Sequence, residues 1–414
     1  MKNTAESGRS TRIWLDLILK KGKERSLLRR HPWVYDTAVQ KLSGKPANGE
    51  TVCVRSADKR FLAWAAYSEA STLRARCWSF DENEMINRDW IAAKIEKALA
   101  ARALLFERTS AVRVIFGEAD QLPGLVVDRY GDWFVTQFQA AGVEAWREDI
   151  ADILMQQPGI KGIFDRSDAA TRHREGLTER VEPLRGQEPP QEIEVIEDGV
   201  RYGVDVRKGH KTGFYIDQRE SRLLAQRLAA EFKRRHGRGM RALNCFCYTG
   251  GFSLALLAGG AAEVVSVDSS EEALAMAARN AARNGFNDER AQWVQADVFE
   301  YLRRAREAGE TFDLVILDPP KFASSHRHID RAARAYKDIN LNGLRLVAPG
   351  GDLLTFSCSG AMDVDLFQKV IAGAVIDSKR EAWMVARLGA GCDHPLMMTC
   401  PEGEYLKGLQ LTLR

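Results

Sequence analysis

A chain of 414 residues, 45% hydrophobic and 28% charged, has the make-up of a folded water-soluble protein and is too long for one ordinary core. It contains no run of ~18 apolar residues, which excludes a membrane-spanning helix. Its first apolar run, 13–19, is broken by Asp16, so no signal peptide is expected and the cytoplasm is the expected compartment. The net charge is only +3, but residues 1–80 carry 16 Lys and Arg against 7 Asp and Glu, while the remainder carries 44 against 50. A nucleic-acid-binding face is therefore expected at the amino end.

Residues 1–10 are polar and are expected to be disordered. From 11 to 87 the text alternates (Thr51 to Arg55, Leu73 to Trp78) between turn signals at Asn48-Gly49 and Asp58-Lys59, which predicts a small all-β unit with basic outward positions. Trp90, Ile91, Ile95, Leu99 and Leu104 recur at helical spacing and predict a helix over 88–107. Strands at 111–116, 124–128 and 133–139, a helix near 143–156 and a strand at 160–165 complete an α+β unit over 88–190. The charged stretch 171–192, with Pro183, Pro189 and Pro190, reads as a linker. A hairpin turning at Asp198-Gly199 then opens a third unit, 191–414, in which a helix at 221–235 precedes alternating strands and helices. The strands fall near 241–246, 263–267, 292–296, 313–318, 351–357 and 405–413. Such alternation predicts an α/β, doubly wound parallel sheet. The last strand follows an irregular stretch, 388–404, and is free to enter antiparallel.

Ligands of such sheets bind beyond the carboxyl ends of the strands. Leu243 to Phe252 reads as strand, glycine turn and helix start, Asp268 ends the next strand, and Asp297 ends the third. An acid at the second position can accept ribose hydroxyls, and one at the third can accept from an adenine amino group. The full G-x-G-x-x-G loop of a dinucleotide site is absent, which points to S-adenosylmethionine, a ligand with no pyrophosphate. Asp318-Pro319-Pro320-Lys321-Phe322 closes the fourth strand and Thr355 to Gly360 (TFSCSG) closes the fifth. An acid, a rigid corner, an aromatic ring and the Cys358 thiol would converge there, a set suited to a flat, electron-poor nucleobase. The seven cysteines are scattered and odd in number, and neither Cys245-x-Cys247 nor His326-x-His328 has a second pair at zinc spacing. No disulfide framework and no metal are expected.

HKTGFYIDQR (210–219), NCFCYTGGF (244–252), DPPKF (318–322), YKDIN (336–340) and TFSCSG (355–360) together resemble the family of 23S ribosomal RNA methyltransferases that form 5-methylcytosine. The resemblance extends to SLLRRHPWVY (26–35), similar to that family's RNA-binding PUA domain, and to ADQLPG (119–124) in its central domain. It implies a PUA-like β-barrel over 11–87, a central domain over 88–190 and a class I, Rossmann-like methyltransferase domain over 191–414. It further implies 23S rRNA or a large-subunit precursor as partner. S-Adenosylmethionine would meet Phe246, Tyr248, Thr249, Gly250, Asp268, Asp297, Asp318 and Pro319, and the substrate would meet Lys321, Phe322, Gln218, Arg29 and Arg30.

Cytosine C5 is a poor nucleophile until a thiolate adds to C6. Cys358 is expected to supply that thiolate, with a lowered pKa. Asp318 would hold N3 and the amino group, and Phe322 would stack on a base flipped out of its helix. The base that removes the C5 proton stays open among Lys321, Asp338 and water. Lys321 stands where the broader group of RNA cytosine-C5 enzymes keeps a second cysteine. Two other readings remain: methylation of an exocyclic amino group, which needs no thiol, and a non-catalytic RNA-binding assembly factor.

Overall fold

A computed structural model describes residues 15–286, 289–323 and 326–414. The disorder expected for residues 1–10 lies outside them. Six strands form the first sheet: β1 (Asp16–Leu19), β2 (Trp33–Tyr35), β3 (Val39–Leu42), β4 (Thr51–Arg55), β5 (Phe61–Tyr67) and β6 (Leu73–Ser79), in the order β2-β6-β5-β4-β1-β3. The alternation along β6 buries Leu73, Ala75 and Cys77 and leaves Arg74 and Arg76 on the other face.

The second sheet runs β11-β10-β9-β8-β7, built from β7 (Ala111–Phe116), β8 (Leu125–Tyr130), β9 (Trp133–Phe138), β10 (Gly162–Ser167) and β11 (Arg180–Gly186). Helices Arg88–Ala101 and Arg147–Met155 contribute to its core through Trp90, Ile95, Ile150 and Leu154. The helix expected over 88–107 ends at Ala101 and continues as a 3-10 turn, because buried Arg102 turns away to pair with Asp120; Leu104 is 77% exposed. The stretch 171–192 is not simply a linker. Its β11 pairs antiparallel with β10, and Pro183 is tolerated there because β11 is an edge strand.

The hairpin β12 (Ile193–Glu197) and β13 (Val200–Val204) turns at Asp198-Gly199 as expected. Beyond it lies a seven-stranded sheet: β14 (Arg241–Cys245), β15 (Glu263–Asp268), β16 (Ala291–Gln295), β17 (Phe312–Leu317), β18 (Val347–Ser357), β19 (Ala382–Gly389) and β20 (Lys407–Leu413), ordered β16-β15-β14-β17-β18-β20-β19. The first five of these in chain order are parallel, and β20 runs antiparallel to both β18 and β19. Strand β17 is buried along its whole length, as a central parallel strand covered on both faces must be. Strand β19 escapes the sequence pattern because it is an edge. Its Trp383, Met384 and Val385 are 41%, 41% and 55% exposed, so no buried run marks it. Between β14 and β17 the strand order reverses, which opens the crevice where a ligand fits. No described helix is long and apolar enough to cross a membrane.

Candidate active site

A cleft of about 620 Å³ lies over the carboxyl ends of β14, β15, β17 and β18, within the size range of small-molecule sites. One wall is the turn after β14. Phe246 and Tyr248 adopt left-handed backbone (φ 60° and 49°), as does Gly250 (φ 83°), so the chain curls before entering the helix Gly251–Ala258. A Cβ on Gly250 would stand 3.0 Å from the Trp293 ring and 3.1 Å from the Ala277 Cβ. Only glycine fits that conformation without strain. We predict that Gly250→Ala weakens S-adenosylmethionine binding about tenfold and destabilises the fold by about 1 kcal/mol, read by calorimetry and thermal unfolding.

Asp268 is fixed across the turn by two backbone donors, Tyr248 N–H and Ser270 N–H, each at 2.9 Å. The cleft holds Phe246, Tyr248, Thr249 and Asp268 at this end and Asp318, Pro319, Lys321 and Cys358 at the other. A curled loop, a helix N-terminus and a fixed carboxylate suit a nucleoside with an amino-acid tail, so the residues fit S-adenosylmethionine.

The thiol end is built by long-range contacts. Ser357 Oγ donates to the buried Tyr336 hydroxyl at 2.9 Å, and that hydroxyl lies 3.1 Å from Ser359 Oγ. Lys407, itself buried, donates to the Ser359 and Met362 carbonyls at 2.8 and 2.7 Å. These bonds clamp the loop carrying Cys358, whose Sγ sits 4.0 Å from the Pro319 carbonyl. Burial, and next the Asp318 carboxylate, push the thiol pKa up, against the expectation of a lowered value; Lys211 pulls the other way. Burial and the Asp217 charge raise the Asp318 carboxyl to about 7.

Asp217 anchors this end. It accepts from Lys211 Nζ and, at 2.6 Å, from the Tyr405 hydroxyl. The Lys211 ammonium also lies 4.6 Å from the Tyr215 ring centre and 5.3 Å from that of Tyr405.

Several expected site residues stand elsewhere. Phe322 is turned back by the Pro-Pro corner into an aromatic cluster, 4.8 Å from Tyr336 and 5.9 Å from Phe299, and does not line the cleft. Asp297 is exposed and caps the helix Val298–Glu307 through the Glu300 N–H, also outside the cleft lining. Asp338 pairs with Arg303 at 2.7 Å and takes no part in the cleft. Arg29 and Arg30 are exposed on the first sheet's unit, with Arg30 folded over the Phe80 ring at 5.1 Å. Gln218 lines the cleft.

Lys211, Asp217, Tyr336, Tyr405 and Lys407 were not named as site residues. Their positions inside HKTGFYIDQR and YKDIN, and the polar run Glu404-Tyr405-Leu406-Lys407 entering the last strand, were the available signals. The loop before β20 also ties the units together. Asp393 accepts from Arg219 and the Arg113 N–H, and Glu402 pairs with His31 of the first sheet's unit at 3.2 Å. Cys400 joins that pair, the three ligand atoms lying within 4.8 Å of one another.

The family model of S-adenosylmethionine-dependent methyltransferases matches residues 138–395, and that of PUA-like domains matches residues 17–80. The ribosomal RNA large subunit methyltransferase I of Shewanella amazonensis is 46% identical over 393 residues, covering 94% of this chain and 97% of its own. That of Klebsiella pneumoniae is 45% identical over 394 residues, covering 95% and 96%. Among solved structures, SMU.776 complexed with SAH shares the fold at a TM-score of 0.82, with 23% identity over 96% of this chain and 100% of that one. A SAM-dependent methyltransferase structure from Streptococcus mutans does so at 0.80, also at 23% identity and with the same coverage. With its sheet order, cleft and sequence in agreement, the chain belongs to the family of S-adenosylmethionine-dependent methyltransferases and carries a PUA-like domain.

Proposed function

We propose that this protein methylates C5 of a cytosine in 23S rRNA through a covalent bond between Cys358 and C6 of the base. The observation that carries the reading is the placement of Cys358 and Asp318 in one cleft with the cofactor loop. The names of the curated relatives supply the substrate class. S-Adenosylmethionine, when bound, supplies a methyl group on a sulfonium. Phe246, Tyr248, Thr249, Gly250 and Asp268 hold its nucleoside, and Asp318 and Pro319 border its reactive end. Residues 11–87 dock the RNA, with Arg29 and Arg30 on phosphates, while 88–190 and 191–414 are the central and catalytic domains.

In the reaction the Cys358 thiol passes its proton to the Asp318 carboxylate and the sulfur bonds to C6. Asp318, now carrying that proton, donates to N3, which draws charge out of the ring. C5 then bonds to the methyl carbon as the methyl–sulfur bond breaks. Loss of the C5 proton expels the thiolate, and the sulfur–C6 bond breaks. Lys321, exposed and lining the cleft, and water are what remain for the C5 proton once Asp338 is engaged with Arg303.

The raised pKa of Cys358 favours one competing reading, transfer to an exocyclic amino group, which needs no thiolate. Nucleoside mass spectrometry of 23S rRNA methylated in vitro separates the two. The expected product is 5-methylcytidine at one position; N4-methylcytidine would establish the competitor.

A further inference from the structure

Gln218 ends the 3-10 turn Ile216–Gln218 and is only 2% exposed; its amide nitrogen reaches toward the Asp318 carboxyl, while its Oε1 has no hydrogen-bond partner. Its neighbour Asp217 is equally buried and has one unpartnered oxygen, Oδ1. Both residues line the cleft. Nearly all buried polar groups in folded proteins are paired, so two adjacent orphans facing one cavity mark the outline of a missing ligand.

The ligand's chemistry follows from which atoms are left over. The Gln218 amide lies beside Asp318 and favours its ionised form, which orients Nε2 toward that carboxylate, since a carboxylate can only accept. Oε1 is then a buried acceptor aimed at the cavity, and Asp217 Oδ1 is another. Two acceptors call for a donor, such as an amino group. They stand at the thiol end, because Asp318, Lys211 and Asp217 are the charges felt by Cys358, while Asp268 marks the opposite, nucleoside end.

We infer that Gln218 Oε1 accepts a hydrogen from the exocyclic amino group of the target base, so that the cleft takes cytosine and rejects uracil. Uracil presents a carbonyl oxygen at that place, which would set two acceptors face to face and leave Gln218 unpaired. A site built to pair with a donor discriminates strongly against the analogue lacking it. The inference rests on the proposed cytosine reading and adds the group that recognises the base.

The test is a competition binding measurement with S-adenosylhomocysteine present, so that no methyl group moves. The probe is an rRNA fragment carrying the mapped target cytosine, against the same fragment with uracil there. The wild-type protein should prefer cytosine by about 10- to 100-fold, the effect of one buried hydrogen bond gained against one acceptor stranded. Gln218→Met should reduce that preference to about threefold or less. Calorimetric affinity for S-adenosylhomocysteine should stay unchanged in that variant, which also certifies that it is folded.

A Gln218→Met protein that keeps the wild-type preference would overturn the inference. So would a wild-type protein with no preference, or loss of cofactor affinity, which would place the orphaned amide on the cofactor instead. Failure of the C5 reading shows separately, as methyl found on another atom of the base.

Discussion

On the mechanism proposed above, replacing Cys358 with alanine is expected to lower methyl transfer by about 10⁴-fold or more, the usual consequence of removing a covalent nucleophile. Affinity for S-adenosylmethionine stays unchanged, because the thiol sits at the far end of the cleft from Asp268. RNA containing 5-fluorocytosine forms a stable covalent complex with the wild-type protein, since fluorine cannot leave C5 as a proton, and forms none with the alanine variant. Full activity in Cys358→Ala would sink the adduct mechanism outright. The clamp explains why the loss is not partly recovered by a neighbouring group. Tyr336 and Lys407 hold this loop, and among the described residues Cys358 is the one cysteine lining the cleft at its Asp318 end.

Asp318→Asn lowers kcat/KM by about 10²- to 10³-fold and changes the shape of its pH dependence. The reactive form holds one proton on the Asp318–Cys358 pair, as carboxylic acid and thiolate. That form has the same proton count as carboxylate and thiol, so the pair titrates in two macroscopic steps. Below the Asp318 value of about 7 a second proton binds and the reactive form is depleted. Above the raised thiol value both protons are gone and N3 loses its donor. The wild-type profile therefore rises through pH about 7 and falls again in the alkaline range. In the asparagine variant the acid limb of the carboxyl disappears, and activity follows the thiol alone. That thiol titrates lower than in the wild type because the neighbouring charge is gone. A wild-type profile flat through neutrality would remove Asp318 from proton transfer.

Strands β15, β17 and β18 were legible because strands covered on both faces leave apolar runs, and each run leads to a residue of the cleft: Asp268, Asp318, and Cys358 just past Ser357. Edges were legible only in part: β16 was placed although it is an edge, whereas β11 and β19 were not. Strands β11 and β19 carry exposed or charged side chains, and propensity does not tell such text from a loop. At the site, Asp268, Asp318 and Cys358 line one cleft as expected, whereas Asp297, also at a strand end, caps a helix outside it. Phe322 follows Asp318 closely in the chain, yet the proline corner sends its ring into the aromatic cluster. The Cys358 thiol was expected to be acidified; its surroundings instead are a low-polarity pocket facing a carboxylate. Asp217 needs Tyr405, 188 residues away, to become an anchor, and no local pattern announces such a partner.

The place of β20 between β18 and β19 gives the order of synthesis a catalytic meaning. Residues 16–389 include every other strand of all four sheets, and most can pair as they emerge, since chains fold progressively from the amino end. Strand β18 already has β17 beside it, but β19 pairs with β20 alone among the described strands and must wait for it, and with β20 come Tyr405 on Asp217 and Lys407 under the Cys358 loop. Until residues 405–413 are in place, the loop carrying Cys358 lacks the Lys407 anchor and Asp217 lacks the Tyr405 hydroxyl. One strand thus completes both the sheet and the polar contacts that hold the thiol end of the cleft.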